Sequence, residues 1–391
     1  MSLNPLNPPS NSTHLLIAGG GTGGHILAGV AIADQWKKKV GEQARILFVG
    51  AQGGLEERLV PKSGYSLEVL RIGTLNRVSL SQRLRTLIQL PFSFIRSAQI
   101  LLRFKPDYIL GVGGYSSGPL VLTGKILKSF RLLSAQIAIL EQNSIPGLTN
   151  RILGKFSDVI FAAFPGTEKH FPGKKVIMTG NPIRSRLLNI PSSAFTSSLS
   201  SSSLSSSISS MPPFTLFIFG GSQGAQGINS LVLAALPFLK KYQTQLKIIH
   251  QTGPKDLERV RQGYLKEEWR TGVQIEAFID QMAEVYTQSS LLVCRAGSST
   301  LSEVAAVGRA AIFIPLPTAA DQHQLLNAQV FTKAGAGFLL SQTTSSGKDL
   351  ASLIESLMKD PIQLRQVEEK VRGFSRPEAA MELVENFIQQ K

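Results

Sequence analysis

Short apolar runs that end in glycine or another turn-forming residue alternate along the chain with segments of helical character. In the first half these runs begin at residues 14, 45, 107, 137 and 158, and in the second half at residues 214, 246, 291 and 310. Such runs predict the buried strands of a parallel sheet, with helices covering both of its faces. The chain is therefore predicted to be an α/β protein with doubly wound, Rossmann-like sheets.

A serine-dominated tract, Pro191–Pro213, separates two halves of similar length. It cannot bury enough apolar surface to order itself, so it predicts a flexible linker. The predicted domains are residues 1–190 and 214–391, and each begins with an apolar strand and a glycine-rich turn. The last helix is assigned to the second domain, with a return to the first domain as the alternative. Ligands of such sheets bind beyond the carboxyl ends of the strands, so two facing domains predict a site in the cleft between them.

The net charge and the number of cysteines limit which partners and which cellular compartment are expected. The formal net charge of +15 predicts an anionic partner, namely nucleic acid, a phosphorylated ligand or an anionic membrane. The single cysteine, Cys294, excludes an internal disulfide framework and a cysteine-based zinc site. The first residues lack the features of a secretory signal, and no apolar run reaches the ~18 residues of a membrane span. A cytoplasmic location is expected.

The first glycine-rich turn lies within HLLIAGGGTGGHILAG, residues 14–29. Gly19, Gly21 and Gly24 fit G-x-G-x-x-G, in which glycines let the backbone approach an anion at a helix N-terminus. The alternative is that they serve only tight helix–strand packing. A nicotinamide cofactor is disfavoured, because the second strand ends without the acidic residue that would bind its ribose. His25 follows the turn and suits proton transfer, but a structural or solvated histidine is equally compatible.

The second glycine-rich turn contains GGSQG, residues 220–224, which matches the nucleophile elbow G-x-S-x-G. One interpretation is a serine hydrolase with Ser222 as nucleophile and His250 or His323 as its base. The other is a phosphate site in which Ser222 donates its hydroxyl and N–H groups. The parallel with the first half favours the phosphate site.

The segment from Cys294 to Ala328 carries most of the remaining chemistry. GSSTLSE, residues 297–303, predicts a helix start whose hydroxyl and N–H groups suit a diphosphate. Glu303 either stabilises the helix dipole or accepts hydrogen bonds from both hydroxyls of a ribose. The polar cluster in ADQHQLLNA, residues 320–328, fits a polyhydroxylated ligand, unless it lies on a surface loop. No Asp-x-Asp occurs, so leaving-group charge is expected to be neutralised by helix dipoles and by cations such as Arg184.

A basic and apolar segment, residues 80–105, has two interpretations. One is a helix pair that is broken at Pro91 and has an ordinary core face. The other is a surface that rests in the headgroup layer of an anionic membrane. Residues 125–133 would add to that surface. No aromatic-interleaved RNA-binding signature occurs.

Six motifs occur in order: GGTGGH, GVGGYSSGP, EQNSIPGLTN, GNPIR, GGSQGA, and CRAGSSTLSEVAAVG followed by IPLP and HQLLNA. From about His14 to the C-terminal helices, this series resembles the MurG family of peptidoglycan glycosyltransferases, which have the GT-B fold of two facing Rossmann-like domains. The chain departs from the family at Ala28, where proline is usual, and in the length of its serine-rich tract. Neither departure affects the expected donor site.

The resemblance implies transfer of N-acetylglucosamine (GlcNAc) from UDP-GlcNAc to the 4-hydroxyl of the muramic sugar in lipid I, giving lipid II. A single displacement with inversion is expected, without cofactor or bound metal and with domain closure excluding water. The expected location is peripheral, on the cytoplasmic face of the bacterial inner membrane. The implied partners are the undecaprenyl-linked acceptor, the anionic membrane surface and cell-wall synthesis proteins, and not nucleic acid.

The resemblance also implies roles for the residues that match the family's motifs. His25 faces the reacting centre and is the expected base. Substrate-binding roles fall to Thr22, Gly23, Gly24, Asn143, Arg184, Ser222, Ile279, Ser298, Ser299, Thr300, Leu301, Ser302, Glu303, Gln324 and Asn327. In that set the Ile279 backbone contacts uracil and Glu303 contacts the ribose. Gln324 and Asn327 bind the GlcNAc hydroxyls. The phosphates are bound by Arg184, Ser222 and residues 298–302.

Three other functions stay open from the residues alone. A related lipid glycosyltransferase with another donor or acceptor would differ only in the HQLLNA and membrane-facing contacts. A serine hydrolase predicts labelling of Ser222 by a fluorophosphonate. A non-catalytic RNA-binding module predicts salt-dependent association without specificity for a UDP-sugar. The ordered motifs disfavour the last two.

Overall fold

The computed structural model of the chain describes residues 13–73, 80–188, 190, 213–221 and 223–390, with residues 80–87 described by their backbone only. The predicted linker, except Pro213, and the predicted phosphate ligand Ser222 lie outside the described residues. Contacts between Cα atoms divide the chain into two compact units. The first ends at Arg184 and resumes at Pro377, and the second is Ser185–Arg376.

The first unit is built on a seven-stranded parallel sheet with the order β3-β2-β1-β4-β5-β6-β7. Its strands are β1 Thr13–Gly19, β2 Ala44–Ala51, β3 Ser66–Leu70, β4 Tyr108–Gly113, β5 Gln136–Glu141, β6 Val159–Ala162 and β7 Val176–Met178. Its helices before the second unit are α1 Gly23–Val40, α2 Glu56–Lys62, α3 Leu80–Phe104, α4 Ser117–Ser129 and α5 Leu148–Leu153.

The second unit has a six-stranded parallel sheet with the order β10-β9-β8-β11-β12-β13. Its strands are β8 Phe214–Phe219, β9 Leu246–Gln251, β10 Val273–Glu276, β11 Leu291–Cys294, β12 Ala311–Phe313 and β13 Phe338–Leu339. Its helices are α6 Gln226–Leu239, α7 Leu257–Lys266, α8 Met282–Gln288, α9 Ser298–Val307, α10 His323–Lys333, α11 Gly347–Lys359 and α12 Pro361–Arg372. The predicted α/β class with two Rossmann-like sheets is confirmed.

Both sheets are covered on two faces, which explains the nearly continuous apolar strands. In β1, Leu15 and Ile17 join the core on one face, while Leu16 and Ala18 join the core on the other. This alternation follows from the two-residue period of a strand. Because both faces are buried, every one of these positions is apolar.

The chain returns to the first unit in its last helix, α13 (Ala379–Ile388). Phe387 is fully buried, and its ring lies edge-on to those of Trp36 and Tyr108. Glu385 pairs with Lys39 of α1 at 2.7 Å. The helix therefore completes the core of the first unit, although it follows the second unit along the chain.

Helix α3 is continuous through Pro91, so the predicted break into two helices is wrong. A proline inside a helix removes one hydrogen bond and costs about 3 kcal/mol. On the same helix, Ser97, Ile100 and Leu101 are fully buried. Burial of this face holds the helix together across the proline. Among the described residues, no helix is both long enough and apolar enough to cross a membrane.

Candidate functional site

In each sheet the strand order reverses at the first strand of the unit. β1 lies between β2 and β4, and β8 lies between β9 and β11. In open α/β sheets, ligands bind beyond the carboxyl ends of the strands at such a switch point. The two glycine-rich turns follow β1 and β8, so each unit presents its turn at the expected position.

The glycine-rich turn of the first unit packs closely against the glycines that follow β4. A Cβ atom at Gly114 would lie 2.3 Å from the carbonyl oxygen of Gly20, so a side chain cannot be placed there. The anion at this turn belongs to the protein itself, because the buried carboxylate of Glu56 accepts a hydrogen bond from the Gly21 N–H (3.3 Å). The sequence predicted an external anion or simple packing, and the structure places an internal carboxylate there.

Helix α1 starts at the predicted binding residues of this turn. Thr22 is the N-cap residue, and its hydroxyl oxygen accepts a hydrogen bond from the His25 N–H (3.4 Å). Gly23 and Gly24 form the first helical residues. The His25 ring lies against Gly113, where an added Cβ would come within 2.7 Å of its Cε1 atom. His25 is thereby fixed at the switch point between β1 and β4.

Asn143 lies beyond the carboxyl end of β5 and is held by Glu141. One carboxylate oxygen of Glu141 accepts hydrogen bonds from the Asn143 backbone N–H (2.8 Å) and side-chain amide (3.1 Å). Its other oxygen accepts from the Asn150 amide at 2.9 Å. Burial raises the pKa of Glu141 to about 7, against the lowering effect of these donors. A buried carboxylate therefore fixes the orientation of Asn143.

Arg184 lies beyond the carboxyl end of β7, in the segment 180–184, and is partly buried. The sheet is parallel, so the residues that follow β1, β5 and β7 all lie at one edge of it. His25, Asn143 and Arg184 are therefore brought to the same edge of the first unit.

The glycine-rich turn of the second unit is tied to two neighbouring loops by Gln251. The side chain of Gln251, at the end of β9, donates to the Gly221 carbonyl (3.0 Å) and accepts from the Ile279 N–H (2.8 Å). A Cβ atom at Gly224 would lie 2.0 Å from the Thr252 carbonyl oxygen. Of the two backbone groups of Ile279, the N–H is bonded to Gln251 and the carbonyl is not.

The first turn of α9 carries the predicted diphosphate residues. Gly297 is its N-cap residue and supplies no side-chain cap, so the first N–H groups of the helix point outward without intrahelical acceptors. Ser298 is buried, Ser299 and Thr300 are partly buried, and the Ser302 hydroxyl donates to the Ser298 carbonyl at 3.0 Å. This turn has the geometry of an anion site.

Leu301 is the predicted substrate-binding residue of this turn that lies in the core. Its side chain is fully buried in the core of the second unit. Its N–H group donates to the Gly297 carbonyl at 3.0 Å, as the helix requires. Its side chain and its N–H group therefore both have partners within the second unit, and a role of Leu301 in binding stays a prediction.

Glu303 is partly buried on α9 and is oriented by Tyr286. The Tyr286 hydroxyl donates to the Glu303 Oε2 atom at 3.2 Å. Tyr286 is itself fully buried, with its ring edge-on to Phe217 and Phe219 of β8. A carboxylate held by a core tyrosine has a defined direction, as recognition of a diol requires.

The polar cluster that precedes and begins α10 combines an ordered amide with strained backbone. Gln324 is partly buried, and its side-chain oxygen accepts from the Leu316 N–H at 2.9 Å. Asn327 is fully buried, so only Gln324 of the two predicted sugar ligands reaches the surface. Asp321 and Gln322 have positive φ angles of 47° and 53°. Strain of this kind is commonly retained at ligand sites.

The serine hydrolase interpretation requires a histidine base, and His250 does not supply one. His250 is fully buried, and its two ring nitrogens bond to the Tyr264 hydroxyl (3.1 Å) and to Asn229 Oδ1 (3.0 Å). Burial lowers its pKa to about 3. His250 is a neutral core residue, which removes one of the two candidate bases.

Four polar residues that the sequence analysis did not single out complete these sites: Glu56, Glu141, Gln251 and Tyr286. Glu141 and Gln251 each end an apolar strand, and a polar residue at that position is a usable signal. Glu56 and Tyr286 carry no such signal, because each lies on a helix and bonds to a residue distant in the sequence, Gly21 for Glu56 and Glu303 for Tyr286.

Sequence models of two protein families match the two units. The Glycosyltransferase family 28 N-terminal domain matches residues 15–162. The Glycosyltransferase family 28 C-terminal domain matches residues 215–383. The first match includes strands β1 to β6 of the first sheet, starting within β1, and the second includes all six strands of the second sheet, starting within β8.

Similar proteins extend over nearly the whole chain. Two are named UDP-N-acetylglucosamine--N-acetylmuramyl-(pentapeptide) pyrophosphoryl-undecaprenol N-acetylglucosamine transferase. The protein from Citrifermentans bemidjiense is 39% identical over 96% of this chain and 99% of its own length. That from Geobacter sulfurreducens is 40% identical over 96% and 98%. The crystal structure of Acinetobacter baumannii MurG is 28% identical, with a TM-score of 0.74 over 96% of this chain and 99% of that one. The chain belongs to the MurG family of glycosyltransferases, as the order of its motifs indicated.

Proposed function

We propose that this chain transfers GlcNAc from UDP-GlcNAc to the 4-hydroxyl of N-acetylmuramyl-pentapeptide diphospho-undecaprenol, lipid I, and so forms lipid II for peptidoglycan synthesis. The observation that carries the proposal is the oriented Glu303 carboxylate beside the uncapped start of α9. The carboxylate can accept hydrogen bonds from the two ribose hydroxyls, and the start of the helix can bind the diphosphate. One helix therefore carries both groups that a uridine diphosphate requires. The relatives named above carry this activity in their names.

The second unit binds the donor in this proposal. Glu303 accepts hydrogen bonds from the ribose hydroxyls, and the first turn of α9 receives the diphosphate. The Ile279 carbonyl and its loop contact uracil, and Gln324 contacts the GlcNAc hydroxyls. Asn327 joins them only if its buried side chain turns outward on binding.

The first unit supplies the base and further contacts to the donor, and both units contribute to the leaving group. His25 removes the proton from the 4-hydroxyl while the oxygen attacks the anomeric carbon, and UDP leaves from the opposite face, which inverts that carbon. Thr22, Gly23 and Asn143 reach the donor from the first unit, beside Gly24. Arg184 and Ser222, together with the α9 dipole, stabilise the charge that develops on the leaving diphosphate.

Donor selectivity tests the proposed reaction. Labelled sugar should reach a lipid I analogue from UDP-GlcNAc at a kcat/KM at least about tenfold above that from UDP-glucose or UDP-galactose, since a missing polar contact costs about 1–3 kcal/mol. Transfer should persist in excess EDTA, because the groups assigned to the leaving charge are protein groups. Equal rates with all three donors, or loss of activity in EDTA, would contradict these assignments.

The first unit also carries a surface suited to a membrane that holds the acceptor. Helix α4 packs between α3 and α5. The outward apolar residues of these helices and their C-terminal extensions are Ile88, Phe92, Ile95, Leu102, Ile126, Phe130, Leu132, Leu148, Ile152 and Phe156. Phe92 and Phe130 are 67% and 74% exposed. We define this set as the apolar face of the first unit.

The basic side chains beside this apolar face outnumber the acidic side chains that pair with them. Arg96 and Arg103 both pair with Glu68, and Lys125 and Lys128 both pair with Asp158. Each acid is thus shared by two bases, which leaves net positive charge beside the apolar residues. Apolar side chains flanked by cations favour binding in the headgroup layer of an anionic membrane. The proposal therefore includes peripheral binding to the cytoplasmic face of the plasma membrane.

Replacing both Phe92 and Phe130 with aspartate should weaken binding to phosphatidylglycerol-containing vesicles at least about tenfold, since each buried phenylalanine contributes roughly 1.5–3 kcal/mol. Co-sedimentation with vesicles measures the partition. Ile362→Asp is the matched control, because Ile362 is 60% exposed on α12 of the second unit. Unchanged partition of the double variant would refute the role of the apolar face.

A further inference from the structure

Glu56 joins the two turns that follow β1 and β2. Its carboxylate is 1% exposed. One oxygen accepts the Ala51 N–H at 2.7 Å, and the other accepts the Gly21 N–H at 3.3 Å. Neither oxygen has to donate, as the ionised form requires. The side chain thus connects the end of β2 to the turn that leads into α1.

Three glycines leave the space that this carboxylate fills. An added Cβ atom would lie 2.2 Å from the Glu56 side chain at Gly20, 2.3 Å at Gly50 and 2.4 Å at Gly54. Contacts below 3.0 Å do not occur for real Cβ atoms. All three positions therefore need glycine for one reason, which is to admit the Glu56 side chain. Glycine at Gly20 serves a carboxylate inside the protein, and no external anion is needed to explain it.

Glu56 has no ion-pair partner among the residues that the structure describes. Its charge is instead met by backbone N–H groups and by the positive end of α1, which begins two residues after Gly21. The Glu56 carboxylate lies near a tyrosine, Tyr115. Burial and then the Glu56 charge raise the pKa of Tyr115, whose ring lies close to Gly21.

We propose that Glu56 is a positioning residue for the transfer reaction. Its carboxylate is an internal anion that binds the glycine-rich turn, as a phosphate binds the corresponding turn of a nucleotide-binding protein. By fixing the Gly21 N–H it sets the direction of Thr22 and of the first turn of α1. That turn carries His25, so the proposal rests on the proposed function of His25 as base.

Two variants separate charge from shape. Glu56→Ala should lower kcat at least about tenfold, since two hydrogen bonds to a charged group are lost. The KM for UDP-GlcNAc should change less than kcat, because the proposed uracil, ribose and diphosphate contacts at Ile279, Glu303 and the first turn of α9 belong to the second unit. Glu56→Gln keeps the volume but points an N–H group at a backbone N–H donor, so its kcat should fall as well.

Rescue by formate tests the internal anion directly. Formate fits the space left in Glu56→Ala, so 100 mM formate should raise the Tm of that variant and restore part of its kcat. It should do neither for Glu56→Gln, whose side chain blocks the space, nor for the wild type. If Glu56→Ala folds poorly, the yield of folded protein after refolding with and without formate is measured in place of Tm. Sodium chloride at equal ionic strength controls for screening.

Glu57→Ala is the matched control, because Glu57 is exposed on the same helix and accepts the Gly53 N–H at 2.9 Å. Its kcat should be unchanged and insensitive to formate. Wild-type kcat and Tm in Glu56→Gln, or a Glu56→Ala variant that formate does not stabilise, would overturn the proposal. The Tm readings need no transfer activity, so a failure of the proposed reaction is distinguishable from a failure of this inference.

Discussion

Replacing Glu303 with glutamine lowers kcat/KM for UDP-GlcNAc by about a hundredfold or more. The proposed carboxylate accepts two ribose hydroxyls, and each hydrogen bond to a charged group contributes about 1.5–3 kcal/mol. The Tyr286 hydroxyl, at 3.2 Å, holds the carboxylate in place. Tyr286→Phe should therefore cause a smaller loss, about tenfold. Steady-state transfer with the donor as the varied substrate measures both effects.

Glu369→Gln is the control for the Glu303 prediction, because Glu369 is an exposed carboxylate of the same unit and pairs with Arg365 at 3.5 Å. It should keep wild-type kinetics. A 2′-deoxyribose donor gives a second reading, since the Glu303→Gln variant should discriminate against it less than the wild type does. Equal discrimination by both proteins would remove Glu303 from the ribose site.

Replacing His25 with alanine lowers kcat by about a hundredfold or more, as the loss of a general base typically does. His25 is fixed beyond β1 by the Thr22 cap and by contact with Gly113. In the wild type, kcat should fall at acid pH as the imidazole is protonated, and this acid limb should be absent from the variant. The pH dependence of kcat at saturating donor is the measurement.

His170→Ala serves as the control for His25, because His170 is exposed in the same unit. It should keep both the rate and the acid limb. A His25→Ala variant with near-normal kcat would refute the assignment. A variant that is slow but keeps the acid limb would make His25 a positioning residue and leave the base elsewhere.

The central strands of both sheets could be predicted because burial on two faces makes them continuously apolar. The four strands that the sequence analysis missed are β3, β7, β10 and β13, which are short and lie at or near sheet edges. β10, with the sequence VQIE, is half polar, and none of its four residues is fully buried. Edge strands lack the pattern that identifies buried ones.

The sites could be predicted as far as topology determines them. A residue that follows a parallel strand must lie at the carboxyl edge, so His25, Asn143 and Glu303 could be placed from the chain order. Tertiary contacts decide the rest. Glu56 and Glu57 are adjacent identical residues, and only the fold shows that one is 1% exposed while the other faces solvent. Leu301 matched a motif, yet it belongs to the core.

The structure of the product tests the central claim most directly. The wild-type protein is incubated with UDP-GlcNAc labelled with ¹³C in the sugar and with a lipid I analogue, and the product is analysed by NMR. The account predicts one new β linkage from GlcNAc to the 4-oxygen of the muramyl residue, with one UDP released per linkage. An α linkage, attachment at another oxygen, or release of free GlcNAc without a linkage would contradict it.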